Sequence, residues 1–95
     1  MNKEPCIICG REALCVSVTV DVWDIRCKKC GKYIFINGLN EVSYKKLSEK
    51  QRETISNYVR EFNEVTNKWA QLGDIDILWK MIEDFNRLRR KEKND

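Results

Sequence analysis

Two Cys-x-x-Cys-Gly segments, CIICG at Cys6 and CKKCG at Cys27, constrain this chain more than anything else in it. All five cysteines of the 95-residue sequence lie between Cys6 and Cys30. Cys6 and Cys9 are separated from Cys27 and Cys30 by residues 10–26. That spacing is the one expected of a four-cysteine zinc site. Two residues between cysteines let one tight turn aim both sulfurs at the same ion, and two such turns complete a tetrahedron. Gly10 and Gly31 follow the second cysteine of each pair, where positive φ lets the turn close around the sulfurs.

The alternatives differ in chemistry. A rubredoxin-like iron site uses similar turns, and a thiol–disulfide couple would need one Cys-x-x-Cys at a helix start. An odd number of cysteines fits a closed disulfide framework poorly. Four sulfur ligands leave no open coordination position, so one structural zinc ion (Zn2+) is the expected cofactor, with Cys6, Cys9, Cys27 and Cys30 as its ligands. Cys15 is left over and reads as a small residue tucked under the helices, on the strand face opposite the valines.

Leu14, Val16, Val18, Val20 and Val22 alternate with Cys15, Ser17, Thr19 and Asp21, the period of a half-buried strand. A reversal near Asp21, or slightly before it, starts a second strand through Trp23 and Ile25 to Cys27. KYIFI, Lys32 to Ile36, is a third, closed by Asn37-Gly38. The fold class predicted is α+β, a small three-stranded antiparallel ribbon over residues 1–38 followed by two long helices packed as a hairpin. So small a lobe cannot fold on its own core, and the metal must supply much of its folding free energy.

Residues 39–95 form the helical region, packed on the ribbon as one unit, with a short helix near 40–47. Ser48 and Gln51 have capping-box spacing, and Ile55, Tyr58, Val59, Phe62, Val65, Trp69 and Leu72 recur at helical intervals, which predicts a helix over about 49–72. Gly73 reads as its stop and Asp74 as the cap of a second helix over about 75–91. At about 100° per residue, Ile75, Ile77, Leu78, Trp79, Met81, Ile82, Phe85 and Leu88 cover about 200° of that helix. An arc so wide faces two neighbours or leaves a partner surface around Ile77, Trp79 and Met81.

Charge divides the functional readings. The net +3 resides in residues 86–95, while residues 1–85 hold 13 basic and 13 acidic groups. Four thiolates and a divalent ion would make that body slightly acidic. Arg26, Lys28, Lys29 and Lys32 crowd the second cysteine turn, beside Arg11. Arg87, Arg89, Arg90 and Lys91 end the last helix. Both clusters suit nucleic acid, yet the first also offsets the thiolate charge and the second complements the helix dipole. There is no histidine, no phosphate-cradling glycine loop and no nucleophile beside a base. The reading is a non-enzymatic, cytoplasmic zinc protein acting as a protein-interaction module, an adaptor, inhibitor or regulator that docks on a larger partner or dimerises. Nucleic-acid binding is the alternative, and no membrane or small-molecule substrate is expected. No apolar run reaches the roughly 18 residues of a membrane span, and no signal peptide is visible.

Through CIICG, CKKCG and their spacing the chain resembles the zinc-ribbon superfamily. More narrowly, CKKCGKYIFING followed by LSEKQRETISNYVREFNE is similar to a zinc-ribbon segment at the front of some bacterial proteins of varied role. The resemblance spans residues 6–64 and aligns the four ligands with Tyr33, Ile55, Ser56, Tyr58 and Arg60. It departs at CIIC, where proline commonly follows the first cysteine, and at the extra Cys15. It implies fold and metal; zinc ribbons bind nucleic acids or proteins, and the fold does not choose between them.

Overall fold

The structure, a computed structural model of the chain, describes residues 2–38 and 40–93, with side chains as far as Arg90. The elements run β1 (Asn2–Pro5), β2 (Glu12–Ser17), β3 (Val22–Cys27), β4 (Gly31–Ile36), α1 (Asn40–Lys45), α2 (Glu49–Thr66), β5 (Ala70–Leu72) and α3 (Ile75–Lys93). The five strands form one sheet in sequence order, antiparallel from β1 to β4 and parallel between β4 and β5.

The three-stranded ribbon followed by a hairpin of two long helices is therefore incorrect. The sheet gains a strand at each edge. β1 is exposed at all four positions and carries no apolar alternation. Backbone pairing holds it, Lys3 opposite Leu14 and Pro5 opposite Glu12. β5 replaces the last turns of the first predicted long helix. That helix, α2, stops at Thr66 because Asn67 adopts a left-handed conformation (φ 57°), with its N–H bonded to Asn63 O. The Asn63 side chain then donates to Lys68 O at 2.8 Å and the Thr66 hydroxyl accepts from Lys68 N–H at 3.1 Å. The chain leaves this turn extended, and Ala70 and Leu72 become fully buried beside Tyr33 and Phe35. A strand thus separates α2 from α3, and Gly73 follows that strand instead of ending a helix.

Other signals act where the residues place them. Ser48 and Gln51 form a reciprocal capping box, and the Asp74 carboxylate accepts from the N–H groups of Asp76 and Ile77. The helices cover one side of the sheet. Ile55 and Val59 of α2 and Leu78 and Ile82 of α3 join Ile25, Tyr33 and Phe35 in one core. Tyr44 of α1 sets its ring edge-on to Phe35 at 5.1 Å and donates to Gly73 O at 2.8 Å, tying α1 to the β5–α3 turn. Tyr58, Phe62 and Phe85 pack ring on ring with centroids 5.5–5.8 Å apart, joining α2 to α3. Each large side chain buried this way contributes about 1.5–3 kcal/mol.

Alternation on β2 has a definite inside. Ala13 and Cys15 point under the helices, while Leu14 and Val16 face solvent on the other side. Strand pairing ends at Ser17, and Val18 to Asp21 form the reversal. Among the described residues, no helix is long and apolar enough to cross a membrane.

Candidate metal centre

The two cysteine turns sit at the same end of the sheet, one between β1 and β2 and the other between β3 and β4. In the first, Cys6 N–H bonds to Arg11 O at 2.7 Å and Gly10 N–H to Cys6 O at 2.8 Å. Gly10 takes φ +78° to close it. In the second, Gly31 takes φ +103°, and a Cβ there would collide with Asn63 Oδ1. That oxygen accepts from Lys32 N–H at 2.9 Å while Asn63 Nδ2 donates to Lys32 O at 3.0 Å. Asn63 thereby clamps α2 to the start of β4, and only glycine leaves it room.

The sulfurs of Cys6 and Cys30 are 3.9 Å apart, those of Cys9 and Cys27 are 3.5 Å apart, and all four lie within 4.8 Å of one another. Four thiolates about 2.3 Å from a tetrahedral ion stand about 3.8 Å from each other. The cage has that size, and all five cysteines are free thiols. The residues fit one metal ion. Four sulfurs would fill its coordination, so the chemistry supplied is ligation that cross-links the turns.

Hydrogen-bond donors surround the cage. Ile7 N–H donates to the Tyr33 hydroxyl at 3.2 Å, and that hydroxyl lies 3.1 Å from Cys6 Sγ. The Ser56 hydroxyl donates to Cys30 Sγ at 3.2 Å. Hydrogen bonding with Cys30, then with Tyr33 and the N–H groups of Cys9 and Ile8, outweighs burial and lowers the Cys6 thiol from 9.0 to about 5. Cys30 moves the opposite way, raised by its bond to Cys6 and by burial. The pair therefore holds a proton that an incoming cation displaces. Burial chiefly raises Cys9, although this ligand is only half-buried and is the most accessible of the four. Burial also keeps Tyr33 protonated, which preserves it as a donor. Tyr33→Phe retains the ring and removes this donor. Metal affinity is expected to fall about 10–100-fold. Competition against a chromophoric chelator measures it, and an unchanged constant would show that the hydroxyl does not tune the site.

The resemblance aligned Tyr33 and Ser56 without giving them this contact with sulfur. No motif in the sequence marks Arg52. Its guanidinium donates to Ile7 O at 3.3 Å, Ile8 O at 3.0 Å, Tyr44 O at 3.0 Å and Lys45 O at 3.1 Å, and its Nε to Leu47 O at 3.2 Å. One side chain thus joins the residues between Cys6 and Cys9 to the end of α1. Its signal was positional: Arg52 precedes Ile55, Ser56 and Val59 on the buried stripe of α2.

The basic residues divide. Arg26, Lys28 and Lys32 line one cavity of about 470 Å³ on the side of the sheet away from the helices. Arg26 stands over the Trp69 ring, 5.2 Å from its centroid. Lys29 turns to α2 and pairs with Glu53 at 3.1 Å. Arg87 pairs with Glu83 at 3.0 Å and lies 3.8 Å from Asp84, Arg89 pairs with Glu61, and Arg90 donates to Asn86 O. The Lys91 side chain lies outside the described residues. Ile77 is 61% exposed, whereas Trp79 packs against the core and Met81 is half-buried. Cys15 is buried, faces the helices as expected, and has its thiol pKa raised chiefly by that burial. No family model, curated protein or solved structure matches the chain.

Proposed function

We propose that this chain is a non-enzymatic module, stapled by one zinc ion on Cys6, Cys9, Cys27 and Cys30, that works by docking on a protein partner. Zinc is the metal that all-thiolate tetrahedral cages of this spacing favour, and a filled cage leaves no position for a substrate. This agrees with the resemblance to zinc ribbons.

The observation that carries docking is the side of the sheet that no helix covers. Leu14, Val16 and Ile36 expose 37, 41 and 42% of their surface there. Clustered aliphatics on one face are what a partner surface offers. The same face argues against single-stranded nucleic acid, for which successive aromatic platforms are the usual feature. Here the one indole, Trp69, is already stacked under Arg26.

Affinity capture with wild type and with Val16→Asp/Ile36→Asp tests this. A protein retained by the wild type is expected to be lost by the double variant, with zinc content and Tm unchanged. Equal retention by both, or retention abolished by nuclease, would remove the docking reading.

A further inference from the structure

The open sheet face is polarised along its strands. Strand register sets Lys3, Leu14, Arg26 and Lys32 in one row across β1 to β4. Lys28 lines the same cavity at the metal end. The next row along sets Val16, Asp24, Ile34 and Gln71 side by side from β2 to β5, and beyond it Val22 pairs with Ile36. One end of the face is therefore cationic and the other aliphatic. Lys3, Arg26, Lys28 and Lys32 outnumber the carboxylates Glu12 and Asp24. The Lys3–Glu12 contact, at 4.0 Å between side chains about 70% exposed, neutralises little. The Trp69 ring holds the Arg26 guanidinium in place, so its ordering is met before any partner arrives.

Resting on the docking reading above, we infer that this face takes an acidic, amphipathic segment of a partner protein. Its carboxylates meet the Lys3–Arg26–Lys32 row and Lys28, and its apolar side chains cover Val16, Ile34 and Ile36. A second copy fits poorly, because face-to-face pairing sets the cationic row against itself or against the aliphatic end, where Asp24 alone offers a carboxylate to Lys3, Arg26, Lys28 and Lys32.

The test selects a displayed library of random 16-residue peptides on the immobilised zinc-loaded chain, then titrates resynthesised winners in solution. Enriched peptides are expected to be net negative, with Asp or Glu clustered apart from Leu, Ile or Phe. Lys28→Glu/Lys32→Glu and, separately, Val16→Asp are expected to weaken them at least 10-fold at unchanged zinc stoichiometry. Raising salt from about 50 to 200 mM should weaken the wild-type complex and leave the double charge variant nearly unaffected. Neutral or basic winners lost on Val16→Asp would overturn the acidic segment and leave docking standing. Winners indifferent to these variants but lost on Ile77→Asp/Leu88→Asp would move docking to α3. The absence of any enriched peptide would count against docking itself. A 16-nucleotide single strand bound more tightly than any peptide, or dimers abolished by Val16→Asp, would assign the face to another occupant.

Discussion

Removing the metal is expected to unfold the sheet, with loss of the cooperative thermal transition on chelation and its return on adding zinc. Cys6 and Cys9 bracket the β1–β2 turn and Cys27 and Cys30 the β3–β4 turn, so the cage fastens the two hairpin ends to each other, which neither the Arg52 bonds at Ile7 and Ile8 nor the Asn63 bonds at Lys32 do. Beneath the helices β2 contributes only Ala13 and Cys15 to the core. A structural zinc site supplies about 10–16 kcal/mol at neutral pH. Whole domains are stable by about 5–15 kcal/mol. The metal term therefore decides whether the fold persists. Cys30→Ser, at the fully buried ligand, should be more damaging than Cys9→Ser at the half-buried one.

Acid should act in the same direction. Cys6 has its thiol lowered from 9.0 to about 5, so its contribution is complete above 9.0 and is lost as pH falls toward about 5. The raised Cys30 has the opposite sign in the metal-free chain, but metal binding requires both sulfurs deprotonated. Metal-dependent stability should thus decline on acidification. Circular dichroism melts with and without chelator across that range measure this. A transition indifferent to chelator would refute the structural role of the site.

The metal cage was legible because thiol spacing is itself a geometric instruction. Caps were legible too, since Ser48, Gln51 and Asp74 act on the backbone within three residues. β5 was not. In WAQL, Trp69 and Leu72 are three apart, as on a helix face, while Ala70 and Leu72 are two apart, as on a strand face. Asn67 decided between them by taking positive φ, in a region where Gly73 looked the more natural stop. β1 has no pattern because a fully exposed edge strand needs none. On β2 the period was clear, and Cys15 read under the helices, opposite the valines, named the inner face correctly; what the period does not say is that no other element covers the valine face.

Arg52→Ala is expected to cost about 2–4 kcal/mol, because the carbonyls of Ile7, Ile8, Tyr44, Lys45 and Leu47 lose one charged donor together. Five separate bonds to a charged group would sum to more, but they share one side chain, and water can reach this partly exposed site. In a domain of this size such a loss lowers Tm by about 10–25 °C. Arg52→Lys should recover little, since an ammonium has one donor centre where the guanidinium reaches in several directions from one plane. Metal affinity should fall as well, because Ile7 and Ile8 are the residues that hold Cys6 and Cys9 in one turn. Thermal melts at saturating zinc isolate the effect on the fold, and chelator competition below the transition isolates the effect on the cage. If Arg52→Lys matched the wild type in both, a single positive charge beside the turn would suffice and the five-carbonyl geometry would be incidental. If Arg52→Ala lost stability while keeping its metal affinity, α1 would be the only element that Arg52 holds, and the cysteine turn would be set by its own backbone bonds at Cys6 and Gly10.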